Sequence, residues 1–138
     1  KIGKLLSNGD MIFLYGEIGV GKTTFVRGLI NNLEIEKGME ESQILSPTFN
    51  IVFDYKIKNL TIMHYDLYRL KNSKDINELG IFAEINDHII LIEWPELIEK
   101  KPDSRIEMFF GYLDEELEKR NLKIKGYGKW SNYDFKKI

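Results

Sequence analysis

Hydrophobic and polar positions form two distinct patterns in the first third of the chain. The run "DMIFLYG" is continuously apolar and ends at Gly16, which predicts a central strand buried on both faces of a sheet. After a short glycine-containing segment, apolar residues recur at helical spacing, so we expect a helix from about Lys22 to Leu33 with one face on the sheet. The polar and acidic segment "EIEKGMEESQ" that follows is typical of a surface connection.

The later segments predict further strands and one more helix. "TFNIVFDYKI" and "LTIMHYDLY" are separated only by "KNL", which favours an antiparallel hairpin and therefore a mixed parallel and antiparallel sheet. Asp54 lies in the middle of the first of these strands, and we expect it on a solvent face. "DINELGIFAEIND" has helical spacing with Asp75 as its expected cap. "HIILIEW", "RIEMFFGYL" and "NLKIKGYG" are typical of strands.

Size and composition predict one domain over residues 1–138, because 138 residues with 43% hydrophobic content suffice for one core. The net charge of -2 leaves no overall basic field that would attract nucleic acid, so any RNA connection is expected to run through a partner. The chain has no cysteine and no apolar run near the roughly 20 residues that span a bilayer. We therefore expect a cytoplasmic protein without a membrane partner.

The opening "KIGKLL" is typical of the end of an amphipathic helix, so we expect the native N-terminus upstream of Lys1.

The segment "GEIGVGKTT" matches the phosphate-binding pattern G-x-x-x-x-G-K-[ST] at Gly16, Gly21, Lys22 and Thr23. It lies between a predicted strand and a predicted helix, which is the context in which this pattern binds phosphates. Glycines allow the backbone N–H groups to turn towards a phosphate, and the helix N-terminus adds partial positive charge. Lys22 is predicted to reach the β- and γ-phosphates and Thr23 to offer its hydroxyl to Mg²⁺.

Two carboxylates at strand ends are candidates for the second Mg²⁺ partner that such a site needs. Asp66 ends the run "LTIMHYD", and Glu93 lies near the end of "HIILIEW". Either residue alone is as well explained by a solvated charge or a helix cap. Strand ends beside the phosphate loop are where ligands bind in α/β sheets, so the pair together favours a metal site.

Three further features of the sequence have no single functional interpretation. "SPTF", from Ser46 to Phe49, is either a switch-like loop beside the γ-phosphate or a proline turn that starts a strand. Trp94 and Pro95 fit the core, a nucleotide rim or a partner surface equally well. His64 and His88 are interpreted as structural, because no other histidine or cysteine clusters with them.

The remaining motifs narrow the class of nucleotide-binding protein. A GTPase would need N-K-x-D, which "NSKD" does not match. A small-molecule kinase clamps the transferred phosphate with several arginines, and only Arg69 lies near the expected site. An ATPase that acts on something other than a small acceptor is therefore favoured.

The ordered set "GEIGVGKTTFVRG", "SPTF", "HYDLYRL" and "IEWPE" resembles the TsaE family, also called YjeE. The family comprises small bacterial P-loop ATPases needed for making threonylcarbamoyladenosine in transfer RNA. The resemblance covers the chain from Gly16 to Glu96 and implies an α/β P-loop NTPase fold in three layers. It also implies that TsaD and TsaB are partners, with TsaD as the transferase, and that ATP hydrolysis resets their complex. Transfer RNA would then be contacted only indirectly.

The resemblance also implies roles for individual residues. Lys22, Asp66 and Glu93 would be catalytic, and Thr23, Asp66 and Glu93 would hold Mg²⁺. The residues implied to bind ATP are Glu17, Ile18, Gly19, Val20, Gly21, Lys22, Thr23, Thr24, Thr48 and Glu96. Two alternatives stay open, a small-molecule P-loop kinase and a binding module that uses the nucleotide only as a clamp.

Overall fold

A six-stranded mixed sheet forms the centre of the computed structural model, which describes residues 2–17, 21–44, 50–112 and 120–135. The strands are β1 (Met11–Tyr15), β2 (Val52–Ile57), β3 (Leu60–Asp66), β4 (Ile89–Glu93), β5 (Arg105–Tyr112) and β6 (Arg120–Tyr127). Their order across the sheet is β2-β3-β4-β1-β5-β6. The four inner strands are parallel, and β2 and β6 pair antiparallel at the edges, which confirms the predicted mixed sheet.

Two α-helices and four 3-10 turns complete the described structure. Helix α1 (Lys22–Glu36) begins where the sequence predicts and ends beyond the predicted Leu33. Helix α2 (Ser73–Glu78) is shorter than the predicted helix. The 3-10 turns are Ile2–Leu5, Ile85–Asp87, Pro95–Leu97 and Gly128–Trp130. Within these described ranges, no helix combines the length and apolar character needed to cross a membrane.

The predicted cap of α2 is wrong. Asn72 precedes the helix in an extended conformation, and its side-chain oxygen accepts a hydrogen bond from the backbone N–H of Asp75 at 3.0 Å. Asp75 therefore lies in the first turn as the donor rather than the cap. Asparagine is favoured at this position because its short side chain satisfies an N–H group that the helix leaves unpaired.

Alternate residues of the inner strands belong to two separate hydrophobic clusters, one on each face of the sheet. Ile12 and Leu14 of β1 pack on the face that Leu29 and Ile30 of α1 cover. The other cluster contains Phe13 from β1 and residues from the region of α2, including Ile76 and Ile81. Because β1 is buried from both sides, its sequence is a continuous apolar run. This three-layer α/β arrangement confirms the predicted fold class.

The parallel inner strands bring distant sequence segments to one edge of the sheet. The phosphate loop leaves the carboxyl end of β1, while Asp66 ends β3 and Glu93 ends β4. Asp66 and Glu93 are register partners across the β3–β4 pair. Asp54 lies exposed in β2, as predicted for a residue on a solvent face. The fold thus separates the two candidate site carboxylates from the surface carboxylate Asp54 on β2.

Gly126 in β6 lies close to the backbone of Trp130, and a substitution at Gly126 tests this contact. A Cβ atom on Gly126 would lie 2.1 Å from the backbone oxygen of Trp130, so Gly126→Ala should lower the free energy of unfolding by about 1–3 kcal/mol. Gly28 in α1 is the matched control, since a Cβ atom added there would meet no neighbouring atom within 4 Å. Gly28→Ala should raise the free energy of unfolding by roughly 0.5–1 kcal/mol. Urea unfolding measures both, and equal effects would contradict the packing at β6.

Candidate functional site

Two glycines at the ends of the loop that follows β1 have positive φ angles, as a phosphate-binding pattern requires. Gly16 has φ 147° and Gly21 has φ 113°, and both values lie in the region that only glycine adopts readily. Gly21 caps α1 without any side-chain hydrogen bond, so the first N–H groups of the helix have no side-chain cap. The predicted nucleotide-binding residues Ile18, Gly19 and Val20 lie outside the described residues, as does the "SPTF" segment with Thr48.

Lys22 is buried at the start of α1, and its ammonium group is directed into the site. Its Nζ donates to the carbonyl oxygen of Gly16 at 2.5 Å and lies 3.5 Å from the ring centroid of Trp94. Burial lowers the pKa of this ammonium group, and the nearby carboxylates of Glu93, Glu96 and Asp66 oppose that shift. A buried lysine held by a carbonyl and an aromatic face is a positive charge available to an anionic ligand.

The hydroxyl of Thr23 contacts the carboxylate of Glu93 across 70 residues of sequence. Thr23 Oγ1 lies 3.1 Å from Oε2 and 3.2 Å from Oε1 of Glu93, which is 3% exposed. Thr23 is the second residue of α1, and Glu93 is the last residue of β4, the parallel neighbour of β1. The strand pairing therefore sets this contact.

Asp66 lies beside Glu93 at the end of the neighbouring strand. It is 4% exposed, and its Oδ1 accepts a hydrogen bond from the backbone N–H of Tyr68 at 3.0 Å. Its own backbone N–H donates to the carbonyl of Ile51 at 2.8 Å, which ties the strand end to the start of the hairpin. Both predicted carboxylates are thus buried side by side at the edge where the phosphate loop begins.

His64 contacts the site, although sequence reasoning gave it only a structural role. It is fully buried on β3, and its Nε2 lies 2.6 Å from Oε2 of Glu93. Among the described residues, its Nδ1 has no hydrogen-bond partner. The signal in the sequence was the spacing of two between His64 and Asp66, since strand residues two apart share one face of the sheet.

The remaining predicted ATP-binding residues of the described ranges lie on the surface. Glu17, Thr24 and Glu96 are all exposed, with Glu17 in the loop and Thr24 on α1. Glu17 and Glu96 line a cavity of about 470 Å³ together with Tyr15, Gly16, Trp94, Phe110 and Gly111. Burial raises the pKa of the Tyr15 phenol, whose ring stacks on Phe109 at 4.8 Å between centroids. A cavity of this size beside the loop can hold a planar group such as a nucleotide base.

Trp94 belongs to the site rather than to the hydrophobic core alone. It is half-buried and has φ 58°, a left-handed conformation that is strained for a bulky residue. One neighbour of its ring is the ammonium of Lys22, and another is the ring of Tyr68 at 4.9 Å between centroids. Strain of this kind persists at functional sites, where the surrounding contacts hold it in place.

The oxygen groups at this edge fit Mg²⁺ better than a softer metal. Thr23, Glu93 and Asp66 provide a hydroxyl and two carboxylates, which are the ligands that Mg²⁺ prefers. Within the described ranges, no group of three or more histidine, cysteine, aspartate and glutamate side chains could hold a metal by itself. Mg²⁺ in nucleotide sites is usually bound through one or two carboxylates together with phosphates and water.

Comparisons with known proteins agree on one family. The family model described as "Threonylcarbamoyl adenosine biosynthesis protein TsaE" matches residues 1–122. The chain is similar to proteins named tRNA threonylcarbamoyladenosine biosynthesis protein TsaE from several bacteria. The relative from Rickettsia felis is 45% identical over 103 residues, which are 72% of this chain and 58% of that protein. The relative from Streptomyces coelicolor is 33% identical over 143 residues, with 97% of this chain and 92% of that protein covered.

A solved structure supports the fold independently. The crystal structure of Bacillus subtilis YdiB matches with a TM-score of 0.70 and 24% identity, over 94% of this chain and 76% of YdiB. The chain spans less than two thirds of the Rickettsia felis and Rickettsia conorii relatives, at 58% and 57% of their lengths. The family model and the relatives nevertheless cover most of this sequence. The chain belongs to the TsaE family.

Proposed function

We propose that this chain is a Mg²⁺-dependent ATPase that acts in the threonylcarbamoyladenosine modification of transfer RNA. The observation that carries the proposal is the contact between the Thr23 hydroxyl and the Glu93 carboxylate beside the phosphate loop. A hydroxyl at the start of the helix and an acidic residue on the adjacent strand together hold Mg²⁺ in P-loop NTPases. The pathway in this proposal comes from the names of the relatives, which are tRNA threonylcarbamoyladenosine biosynthesis proteins.

The phosphates of ATP would bind at the loop between β1 and α1. Backbone N–H groups at the start of α1 and the ammonium of Lys22 provide the positive charge for the β- and γ-phosphates. Lys22 would exchange the carbonyl of Gly16 for phosphate oxygens, which are stronger acceptors because they carry charge. The cavity lined by Tyr15, Trp94 and Phe110 is the space beside the loop that we assign to the rest of the nucleotide.

Glu93 and Asp66 would have different roles, one in binding the cation and the other in orienting water. Both oxygens of Glu93 are in contact with Thr23, so we assign Glu93 to the cation that Thr23 also binds. Asp66 lies next to Glu93 in register and would orient water, either on the cation or for attack on the γ-phosphate. Thr23 and Glu93 would hold Mg²⁺, which when bound would supply positive charge that neutralises the phosphate oxygens of ATP.

Hydrolysis would depend on partner proteins in the cytoplasm. TsaD and TsaB are the proposed partners, with TsaD transferring the threonylcarbamoyl group and transfer RNA contacted only through the complex. Tyr68 and Leu97 support a partner surface beside the site, because these two large hydrophobic side chains are 49% and 37% exposed. They lie close to Asp66 and Glu93 in the chain, so a partner there would contact the segments that hold both carboxylates.

Nucleotide binding is the first test. Lys22→Ala should weaken ATP binding about 10- to 100-fold, because it removes a charged donor to the phosphates. Glu93→Gln should instead weaken mainly the binding that depends on Mg²⁺. Asp54→Asn is the matched control, because Asp54 is an exposed carboxylate on β2. The Asp54→Asn protein should bind ATP as the wild type does. Calorimetric titration with and without Mg²⁺ measures all three, and normal ATP binding by Lys22→Ala would sink the assignment.

The lowered pKa of Lys22 predicts a pH-dependent stability. Between its lowered pKa in the folded chain and its ordinary value of 10.5, the unfolded chain binds a proton that the folded chain has released. The free energy of unfolding therefore gains a contribution that rises with pH across this window. Lys22→Met removes that contribution, so the stability of the wild type relative to the variant should rise between about pH 8 and about pH 10.

Urea unfolding at both pH values gives the comparison. Tyr15 and Tyr65 also have pKa values raised by burial, but they are present in both proteins and their effects cancel. Lys56→Met, at an exposed position of β2, should show no comparable change in the difference. A difference between wild type and Lys22→Met that stays flat with pH would argue against a buried ammonium at this position.

Reconstitution with partners tests the pathway. Purified chain mixed with TsaB, TsaD and ATP should release phosphate faster than the chain alone and support repeated rounds of modification. Asp66→Ala should lose both effects, while Asp54→Ala should keep them. Assembly on a non-hydrolysable ATP analogue without turnover on ATP would favour a nucleotide-clamped binding module. ATP-dependent phosphorylation of a metabolite without partners would favour a kinase.

A further inference from the structure

His64 is a buried polar group that the proposed function does not use. It lies on β3 with no exposed surface, two residues before Asp66, and contacts Glu93 at 2.6 Å. Glu93 in turn accepts from the Thr23 hydroxyl, so its carboxylate lies between His64 and Thr23. The three side chains form a line from the interior of the sheet to the start of α1.

The position of the hydrogen in the His64–Glu93 contact follows from its neighbours. A carboxylate that accepts from Thr23 has no hydrogen to donate, so the hydrogen shared with His64 belongs on Nε2. Nδ1 has no partner among the described residues, and a buried N–H without an acceptor would be costly. The Nε2–H tautomer satisfies Glu93 and leaves Nδ1 as a bare acceptor.

We propose that His64 is a positioning residue that holds Glu93 against Thr23 and the cation site. A glutamate side chain has several rotatable bonds, and a hydrogen bond from a fully buried ring restricts them to one arrangement. The inference rests on the proposed role of Glu93 in binding Mg²⁺. His64 does not touch the phosphate loop in the described contacts, so it should affect binding that depends on Mg²⁺ rather than nucleotide binding itself.

Three substitutions separate positioning from packing. Gln places its amide nitrogen near the position of histidine Nε2, so His64→Gln should keep the hydrogen bond to Glu93. Leu removes the donor, and Asn carries an amide that is too short to reach Glu93. His64→Leu and His64→Asn should lose about 10- to 100-fold of the Mg²⁺-dependent ATP affinity, which is the usual effect of losing a group that orients a metal ligand.

Calorimetric titration of ATP with and without Mg²⁺ measures this difference. Binding without Mg²⁺ should match the wild type in all three variants, and His64→Gln should also match it with Mg²⁺. Thermal unfolding checks the fold, and His64→Asn carries the comparison if His64→Leu fails to fold. Equal Mg²⁺ dependence in His64→Leu and His64→Gln would overturn the proposal while leaving the ATPase assignment intact. Absence of Mg²⁺-dependent ATP binding in the wild type would instead overturn the proposed function, and this inference with it.

A spectroscopic readout tests the hydrogen bond without any nucleotide. The chain has two histidines, so nitrogen-15 NMR of the wild type and of His88→Gln identifies the signals of His64. We expect a protonated Nε2 and a bare Nδ1 on His64, and a shift of the Nε2 signal in Glu93→Gln. Protonation on Nδ1 alone, with Nε2 bare, would overturn the proposal.

Discussion

Parallel pairing of β1 with β4 is the constraint on which the site depends. The register aligns Leu14 with Glu93, so the strand that ends in the phosphate loop and the strand that ends in a carboxylate finish together. Parallel neighbours need long crossover connections, which is why groups far apart in sequence meet at this edge. The contact between Thr23 and Glu93 follows from that register. A slip of one residue in this pairing would turn Glu93 to the opposite face of the sheet.

Several charged or polar groups are buried at this one edge, and their burial opposes folding unless they are paired. Lys22 contacts the Gly16 carbonyl and the Trp94 ring, while Glu93 accepts from Thr23 and contacts His64. Each group therefore depends on a neighbour, and removing one leaves another buried without compensation. Such clusters contribute little to net stability, but they hold side chains in fixed geometry before a ligand arrives.

The sequence predicted the parts of the fold that strong periodicity specifies. The central strand, α1 and the hairpin lie where the patterns placed them, because each buries a regular set of apolar residues. Helix α2 was predicted too long because Ile76, Leu79 and Phe82 continue its spacing. The helix ends at Glu78, and Gly80 follows with φ 61°, a left-handed conformation that terminates a helix. The spacing of apolar residues cannot reveal that backbone reversal.

The site was predicted as a set of residues but not as a set of contacts. Lys22, Thr23, Asp66 and Glu93 do come together at one edge, as expected from strand ends beside a phosphate loop. His64 was missed because its partner lies 29 residues away and belongs to another strand. The contact between Lys22 and Trp94 was equally hidden, since it depends on the left-handed backbone of Trp94. The roles of all these residues, and the single domain over residues 1–138, stay predictions.

The aromatic edge of the site gives a physical reason why hydrolysis would need partners. Tyr68 packs on Trp94 and stays half exposed, and Trp94 in turn covers the ammonium of Lys22. The backbone N–H of Tyr68 also donates to Asp66, so the same residue contacts a site carboxylate and the solvent. A protein that packs on Tyr68 would therefore alter the surroundings of both Asp66 and Lys22. Under the proposed function, partner binding would be coupled to the phosphate site through the exposed ring of Tyr68.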